Sequence, residues 1–254
     1  MNAPVLSARG VTKIFGSFTG LDGVDIDVAR GEIVAVIGPS GCGKSTLLRC
    51  LVQLEEPNSG TILLEGQPFG SVAADGRRQS TRTIDRIRPK IGFVFQSLNL
   101  WPHMTARDNV AKGLISVRRM PVAEARERAL ALIARFGLAA KADRRPADLS
   151  GGERQRIAIC RALAMEPVAL LFDEPTSALD PELVLGVRDI LRELAGTGIG
   201  MVIATHDLRF ARAATDRVIF LDRGRIAEQG PTQATLDNPQ SSRLQAFIKS
   251  VDHI

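Results

Sequence analysis

Ile33-Val34-Ala35-Val36-Ile37-Gly38-Pro39-Ser40-Gly41-Cys42-Gly43-Lys44-Ser45-Thr46 decides how the rest of the chain is read. The first five residues follow Gly31-Glu32 as a short uninterrupted apolar run, the pattern of a strand buried on both faces. The next eight match Gly-x-x-x-x-Gly-Lys-Ser, and Ser45–Leu54 has helical character. Strand, glycine loop and helix thus come in the order this motif requires. The glycines let the backbone curl so that successive N–H groups converge on phosphate oxygens, and the helix N-terminus adds a favourable dipole. In such a loop Lys44 reaches the β- and γ-phosphates and the Ser45 hydroxyl ligates Mg2+. The motif implies a nucleoside triphosphate and leaves open what its energy drives.

Outward from this loop the pattern is that of an α/β protein. Upstream lie two β-prone segments, Val5–Phe15 and Val24–Val28; the second alternates apolar Val24, Ile26 and Val28 with Asp25 and Asp27. Downstream, strands are predicted at Thr61–Glu65 and Ile91–Phe95, followed by helical character from Ala106 to about Ala164. Within it, Val122–Phe136 carries Ala125, Ala129, Leu132, Ile133 and Phe136 on one face, and Pro121 sits near its start, where a missing N–H costs little. Strand and helix then alternate: Val168–Phe172, a helix from Pro181, Met201–Ala204, a short helix from Leu208, and Val218–Leu221. This alternation predicts one mainly parallel α/β core, with a helical insertion near its middle and antiparallel β-structure at the front.

Composition excludes several classes. Hydrophobic residues are 44% and charged residues 24%, which rules out a disordered or fibrous chain. The longest apolar runs, such as Val168–Phe172, fall far short of the roughly 20 residues of a membrane span. The start, MNAPVLSARGVTK, lacks the apolar stretch of a secretory signal. Cys42, Cys50 and Cys160 have no paired spacing and fit a reducing compartment. The net charge is +5, but 33 Lys and Arg are spread among 28 acids and aromatics are only 4%. That is a solvated surface, and no nucleic-acid partner is expected. One stretch is locally basic: Arg77, Arg78, Arg82, Arg86, Arg88 and Lys90. It reads as an exposed loop, with a short helix as the alternative.

Two further stretches carry chemistry. Val168-Ala169-Leu170-Leu171-Phe172-Asp173-Glu174-Pro175 is a buried-type strand ending in two carboxylates. Neighbours in a regular strand point to opposite faces, but at the strand end both acids can serve one pocket, where parallel sheets bind their ligands. Asp173 suits a Mg2+ position, and Glu174 is placed to polarise an attacking water. Leu149-Ser150-Gly151-Gly152-Glu153-Arg154-Gln155-Arg156 precedes the apolar-periodic helix Ile157–Ala164. Ser150 is a good N-cap, and the glycines expose backbone N–H groups. Alone, this is a phosphate site or merely a capped helix.

LSGGERQR just upstream of LLFDEP resembles the signature of the ATP-binding cassette (ABC) ATPases. The phosphate loop, the signature, the acidic strand end, Ser177-Ala178-Leu179-Asp180 and Thr205-His206-Asp207 stand in that family's order along essentially the whole chain. The resemblance implies a single ABC ATPase domain over 1–254: an α/β, RecA-like P-loop NTPase core with a mainly parallel sheet, an N-terminal antiparallel β subdomain and a helical signature subdomain at about 97–165. It implies ATP and Mg2+, and a head-to-tail homodimer in which each ATP lies between one cassette's phosphate loop and the other's signature. Carried over by position, Gly38 to Thr46 hold the phosphates, and Ser150, Gly151 and Gly152 contact the γ-phosphate of the partner's ATP. Ser45, Gln96 and Asp173 form the Mg2+ set, with Gln96 also touching the attacking water. Glu174, His206, Gln96 and Lys44 form the catalytic set, with His206 on the γ-phosphate. Asp180 belongs to the loop that signals across the dimer, and Phe15 takes the place of the ring that stacks on adenine.

Leu98-Asn99-Leu100-Trp101-Pro102-His103-Met104-Thr105, DEPTSALDPELV and Asn238-Pro239-Gln240-Ser241 resemble the polar amino-acid uptake ATPases, such as the histidine and glutamine importers. This implies an importer subunit at the cytoplasmic face of the inner membrane. It would work with integral-membrane permease subunits and, indirectly, a solute-binding protein. An ABC ATPase of lipoprotein release or cell division is the alternative. Trp101 is either an apolar anchor for the permease or a packed core residue. Glu153 and Arg154, where glutamines are commoner, Asp207, where Glu is frequent, and the long Phe69–Arg88 segment depart from that group.

Overall fold

The five residues Ile33–Ile37 are a strand with every side chain buried, and they divide between two faces as the pleat requires. Val34 and Val36 enter one apolar core; Ile33 enters a second, and Ala35 and Ile37 a third. The computed structural model describes residues 3–70, 79–176 and 181–251, excepting the side chains of 181–183. The front half runs β1 (Leu6–Phe15), β2 (Phe18–Val28), β3 (Ile33–Ile37), α1 (Lys44–Leu51), β4 (Ser59–Leu64), β5 (Gln67–Pro68), α2 (Thr81–Ile87) and β6 (Ile91–Val94). A helical stretch follows: α3 (Ala106–Ser116), α4 (Val122–Arg135) and α5 (Gly151–Leu163). The rest is β7 (Ala169–Asp173), α6 (Pro181–Gly196), β8 (Gly200–Ala204), α7 (Leu208–Ala214), β9 (Arg217–Asp222), β10 (Arg225–Pro231), α8 (Thr232–Asp237) and α9 (Ser242–Val251).

The strands form two sheets. A six-stranded sheet has the order β10-β9-β3-β8-β7-β6, parallel except for the β10–β9 pair. The front strands form a separate antiparallel sheet, β2-β1-β4-β5. The first core fills the space between the two sheets, where Leu47, Leu48 and Leu51 of α1 meet Leu6, Leu21 and Ile62. The second joins Leu170, Phe172, Met201 and Ile203 to the helices through Val110, Ile133, Ile157 and Leu191. Among the described residues no helix is long and apolar enough to cross a membrane.

Three expectations change. The helix predicted from Ile157 begins at Gly151, because Ser150 and Glu153 form a complete capping box that starts it before the apolar run does. The second front strand begins at Phe18 rather than Val24; Phe18 and Thr19 are exposed and Gly20 and Leu21 are both buried, so its first residues do not alternate. The antiparallel edge of the main sheet is β10, whose residues are alternately exposed and half-buried. In the basic stretch the helix alternative holds over Thr81–Ile87, capped by Ser80; Arg77 and Arg78 lie outside the described residues.

Candidate active site

The phosphate loop leaves the carboxyl end of β3, and its neighbours in the sheet end level with it. Val36 pairs with Ala204 of β8, and Ala204 with Asp173 of β7. Just past these strand ends come Lys44, His206 and Glu174, and Gln96 follows β6 beside them. The topology therefore gathers residues more than a hundred positions apart at one edge of the sheet, where such sheets bind ligands.

Two loop glycines are sterically required. Gly38 and Gly43 have φ of 150° and 112°. A Cβ at Gly38 would collide with the carbonyl of Leu221, and one at Gly43 would lie 2.6 Å from the carbonyl of Gly20. Gly224 N donates to Cys42 O at 3.0 Å, so the β9–β10 turn braces the loop from outside. Cys42 is buried, which pushes its thiol pKa up. Lys44 Nζ donates to the carbonyls of Gly38 at 2.8 Å and Pro39 at 3.3 Å, and lies 3.9 Å from Glu174 Oε1.

The two acids diverge as the strand ends. Asp173, the last residue of β7, accepts from Ser45 Oγ at 2.7 Å. Glu174 has φ 49°, in the left-handed region uncommon for a non-glycine residue. This turn breaks the strand's alternation, and the carboxylate meets both Lys44 and His206 Nδ1, the latter at 2.9 Å. Asp173 also lines a cleft of ≈ 670 Å3 with Gln96, Arg49, Leu54 and Glu55. The structure thus brings together Lys44, Ser45, Asp173, Glu174 and His206, with Gln96 sharing the cleft of Asp173.

Phe15, at the end of β1, is 44% exposed. Lys13 Nζ stands 5.0 Å from its ring centroid. Ser150, Gly151 and Gly152 sit at the N-terminus of α5, where Ser150 Oγ accepts from Glu153 N and Glu153 Oε2 from Ser150 N. The residues that departed from the amino-acid-uptake pattern have local partners. Glu153 pairs with Lys141 at 3.2 Å, Arg154 donates to Leu149 O at 2.7 Å, and Asp207 N-caps α7. A shorter carboxylate suits that last position, since Asp caps helices well. Asp180, with Ser177, Ala178 and Leu179, lies outside the described residues.

Two residues not singled out from the sequence shape the surface after Gln96. Asn109 is fully buried and bonds the backbone of Trp101 on both sides, and the carbonyls of Met104 and Thr105. Arg161 of α5 donates to the carbonyls of Leu98 and Asn99, and its guanidinium lies 5.2 Å from the Trp101 ring. Trp101 is 39% exposed and lines an apolar cleft with Phe93, Phe95, Ala162 and Met165, so it is no core residue. Asn109 left only the weak signal of a polar residue on the apolar face of a predicted helix.

A family model described as ABC transporter matches residues 21–177. The nopaline permease ATP-binding protein P of Agrobacterium fabrum is 46% identical over 98% of this chain and 98% of its own length. The glutamine transport ATP-binding protein of Escherichia coli is 46% identical over 97% of this chain and its whole length. A dimeric ATP-binding cassette solved in a post-hydrolysis state with ADP and Pi superposes with a TM-score of 0.78 at 35% identity, covering 89% of this chain and 98% of that one.

Proposed function

The chain belongs to the ABC transporter family, and from that membership we propose that it is the ATP-binding, ATP-hydrolysing subunit of an importer for a polar amino acid or a related small solute. The full-length similarity to nopaline and glutamine transport subunits supports this substrate class. One observation carries the enzymatic reading: a single carboxylate, Glu174, lies against both the phosphate-loop lysine and His206.

Phe15 stacks on the nucleobase, and the amides of Gly38 to Thr46 with Lys44 bind the phosphates. Glu174 polarises the attacking water, and His206, with Nδ1 engaged by Glu174, presents its other ring nitrogen to the γ-phosphate. Ser150, Gly151 and Gly152 of a second copy close over the same γ-phosphate in a head-to-tail homodimer. Mg2+ suits the donors present, since the Ser45 hydroxyl and the Asp173 carboxylate meet at 2.7 Å beside Gln96, all hard oxygen ligands. Held by Ser45, Gln96 and Asp173, it would neutralise phosphate charge. Most of the rate enhancement is positioning and charge stabilisation.

Residues 97–165 form the helical subdomain of one cassette, and the half-exposed Trp101 beside its cleft meets the permease. The chain then works on the cytoplasmic face of the membrane, with a solute-binding protein acting through the permease. The test is to isolate the tagged chain from gently solubilised membranes, identify its partners by mass spectrometry and measure phosphate release from ATP. A membrane permease accompanied by a solute-binding protein, with free phosphate as product, is expected. A phosphorylated acceptor would overturn the ATPase, and a lipoprotein-release partner would overturn the importer.

A further inference from the structure

The stretch Asn238-Pro239-Gln240-Ser241 plays no part in the function proposed above, yet it is tied firmly into the fold. Gln240 N and Ser241 N donate to the two carboxylate oxygens of Glu228 on β10, at 3.0 and 2.7 Å. Gln245 Nε2 returns to Pro239 O at 2.9 Å. Ser241 Oγ accepts from Arg243 N at 3.2 Å and Leu244 N at 3.5 Å, at the start of α9. The stretch thus fixes where α9 begins. Leu244, Phe247 and Ile248 then pack the helix onto the core that holds Ile37 and Phe220.

This register places Arg243 on the last residue of β9. Its Nε donates to Asp222 Oδ2 and its Nη2 to Oδ1, both at 2.9 Å. Exposed ion pairs ordinarily contribute little. Here the carboxylate is largely shielded, and a two-point fork fixes its orientation. The hydrogen bonds from Arg243 hold the Asp222 carboxyl below the ordinary carboxylate range. Asp222 opens the tight β9–β10 turn, in which Arg223 and Gly224 both have positive φ, 49° and 78°. The backbone on both sides of Asp222 touches the phosphate loop: the Leu221 carbonyl abuts Gly38, and Gly224 N donates to Cys42 O at 3.0 Å. β2 grips this turn farther along, where Asp22 N donates to Gly224 O at 2.9 Å and Asp22 pairs with Arg225. Arg243 grips its Asp222 end.

We infer that Arg243 is a positioning residue acting from the C-terminal helix: through its fork on Asp222, α9 holds the β9–β10 turn against Gly38 and Cys42 and so keeps the phosphate loop in its binding shape. This rests on that loop being the nucleotide site, as proposed above.

The test compares the full chain with Arg243→Gln, Arg243→Lys, Asp222→Asn and the Asp222→Asn/Arg243→Gln double variant. Arg243 is more than half exposed, so its variants should fold. Equilibrium affinities are measured for ATP and for inorganic tripolyphosphate, which has phosphates and no base, beside the urea midpoint. Arg243→Gln should weaken both ligands alike, by about fivefold, and Asp222→Asn by as much. The double variant should lose no more than either single one, because both break the same contact. Arg243→Lys keeps the charge without the fork and should recover only part of the affinity. If the urea midpoint falls while both affinities hold, the pair is structural only and the proposal is overturned. It is equally overturned if ATP weakens and tripolyphosphate does not, since the effect then bypasses the loop. Full affinity in Arg243→Lys, or its return when Asp222→Asn is added to Arg243→Gln, would show that the arginine cancels a charge rather than places a turn. If the unaltered chain binds neither ligand, the loop is not the nucleotide site, and the reading beneath the proposal falls with it.

Discussion

The phosphate loop and the signature segment both lead into glycine-containing helix N-termini, yet the chain builds them in opposite ways. α1 starts at Gly43 with no side-chain cap among the described residues. Lys44 bonds the loop's own carbonyls, but the side chains around this terminus also reach far along the chain: Ser45 to Asp173, and Lys44 to Glu174, which also holds His206. α5 is N-capped by Ser150 with a full capping box, and the contacts here stay within a dozen residues: Ser150 with Glu153, Arg154 with Leu149, and Glu153 with Lys141. The uncapped terminus has Ser45, Lys44, Asp173, Glu174 and His206 gathered around it, the groups proposed above to bind and hydrolyse ATP. The capped one is satisfied within itself and offers little more than the amides of Gly151 and Gly152 and one hydroxyl. On the function proposed above, the first would bind nucleotide within one chain and the second would meet the nucleotide held by another copy.

The largest expected effect breaks the first region at one atom. Glu174→Gln keeps the side chain's shape while removing the carboxylate that we propose polarises water. Turnover should fall by about a thousandfold with ATP binding retained, read by phosphate release alongside equilibrium binding; near-normal hydrolysis would sink the role. Next, Gly151→Asp adds a negative charge where a helix N-terminus welcomes it, so α5 should not suffer. In the proposed head-to-tail dimer the same charge would face the γ-phosphate of the other copy's ATP, so turnover and ATP-driven dimerisation should fall by about a hundredfold. ATP affinity of the lone chain should stay unchanged, and an equal loss there would erase the contrast between the two termini. Lys44→Ala is milder in kind, since it removes one charge-assisted contact. ATP affinity should drop by roughly tenfold or more, and unchanged affinity would count against the loop as the phosphate site.

The two regions also differ in how much of them could be read from sequence. The loop glycines, the acidic strand end and most of the strands were legible, because each is a local pattern in the sequence. The start of α5 was legible in Ser150 and Glu153, but the later apolar run at Ile157 drew the boundary instead. A departure from strand alternation at Glu174 was legible, but not its form: a left-handed residue other than glycine, just before Pro175, whose carboxylate reaches Lys44 and His206. Asn109 and Arg161 were hidden for a related reason. They hold backbone carbonyls of 98–105, acceptors that converge only once that loop is folded. β10 escaped because its half-buried positions, Ile226, Glu228 and Gly230, share no apolar character that would mark the alternation in sequence.

The smallest effect tests whether the signature terminus is as self-sufficient as its contacts imply. Glu153 accepts from Ser150 N at 2.8 Å and pairs with Lys141 at 3.2 Å. The backbone hydrogen bond first, and then Lys141, hold its pKa below the ordinary carboxylate range. A depressed carboxylate contributes stability above its unfolded pKa of about 4.3 and loses it as pH falls through the lower folded value. Glu153→Ala should therefore cost about 1 kcal/mol at pH 7, seen as a lower urea midpoint, and the gap to the parent should close below about pH 4. Glu153→Gln separates cap from charge, because glutamine at this position still completes a capping box. It should keep most of the stability at pH 7 and show little pH dependence over the same range. If the glutamine variant falls as far as the alanine one, the ion pair to Lys141 holds this terminus, and α5 leans on its neighbours as α1 does.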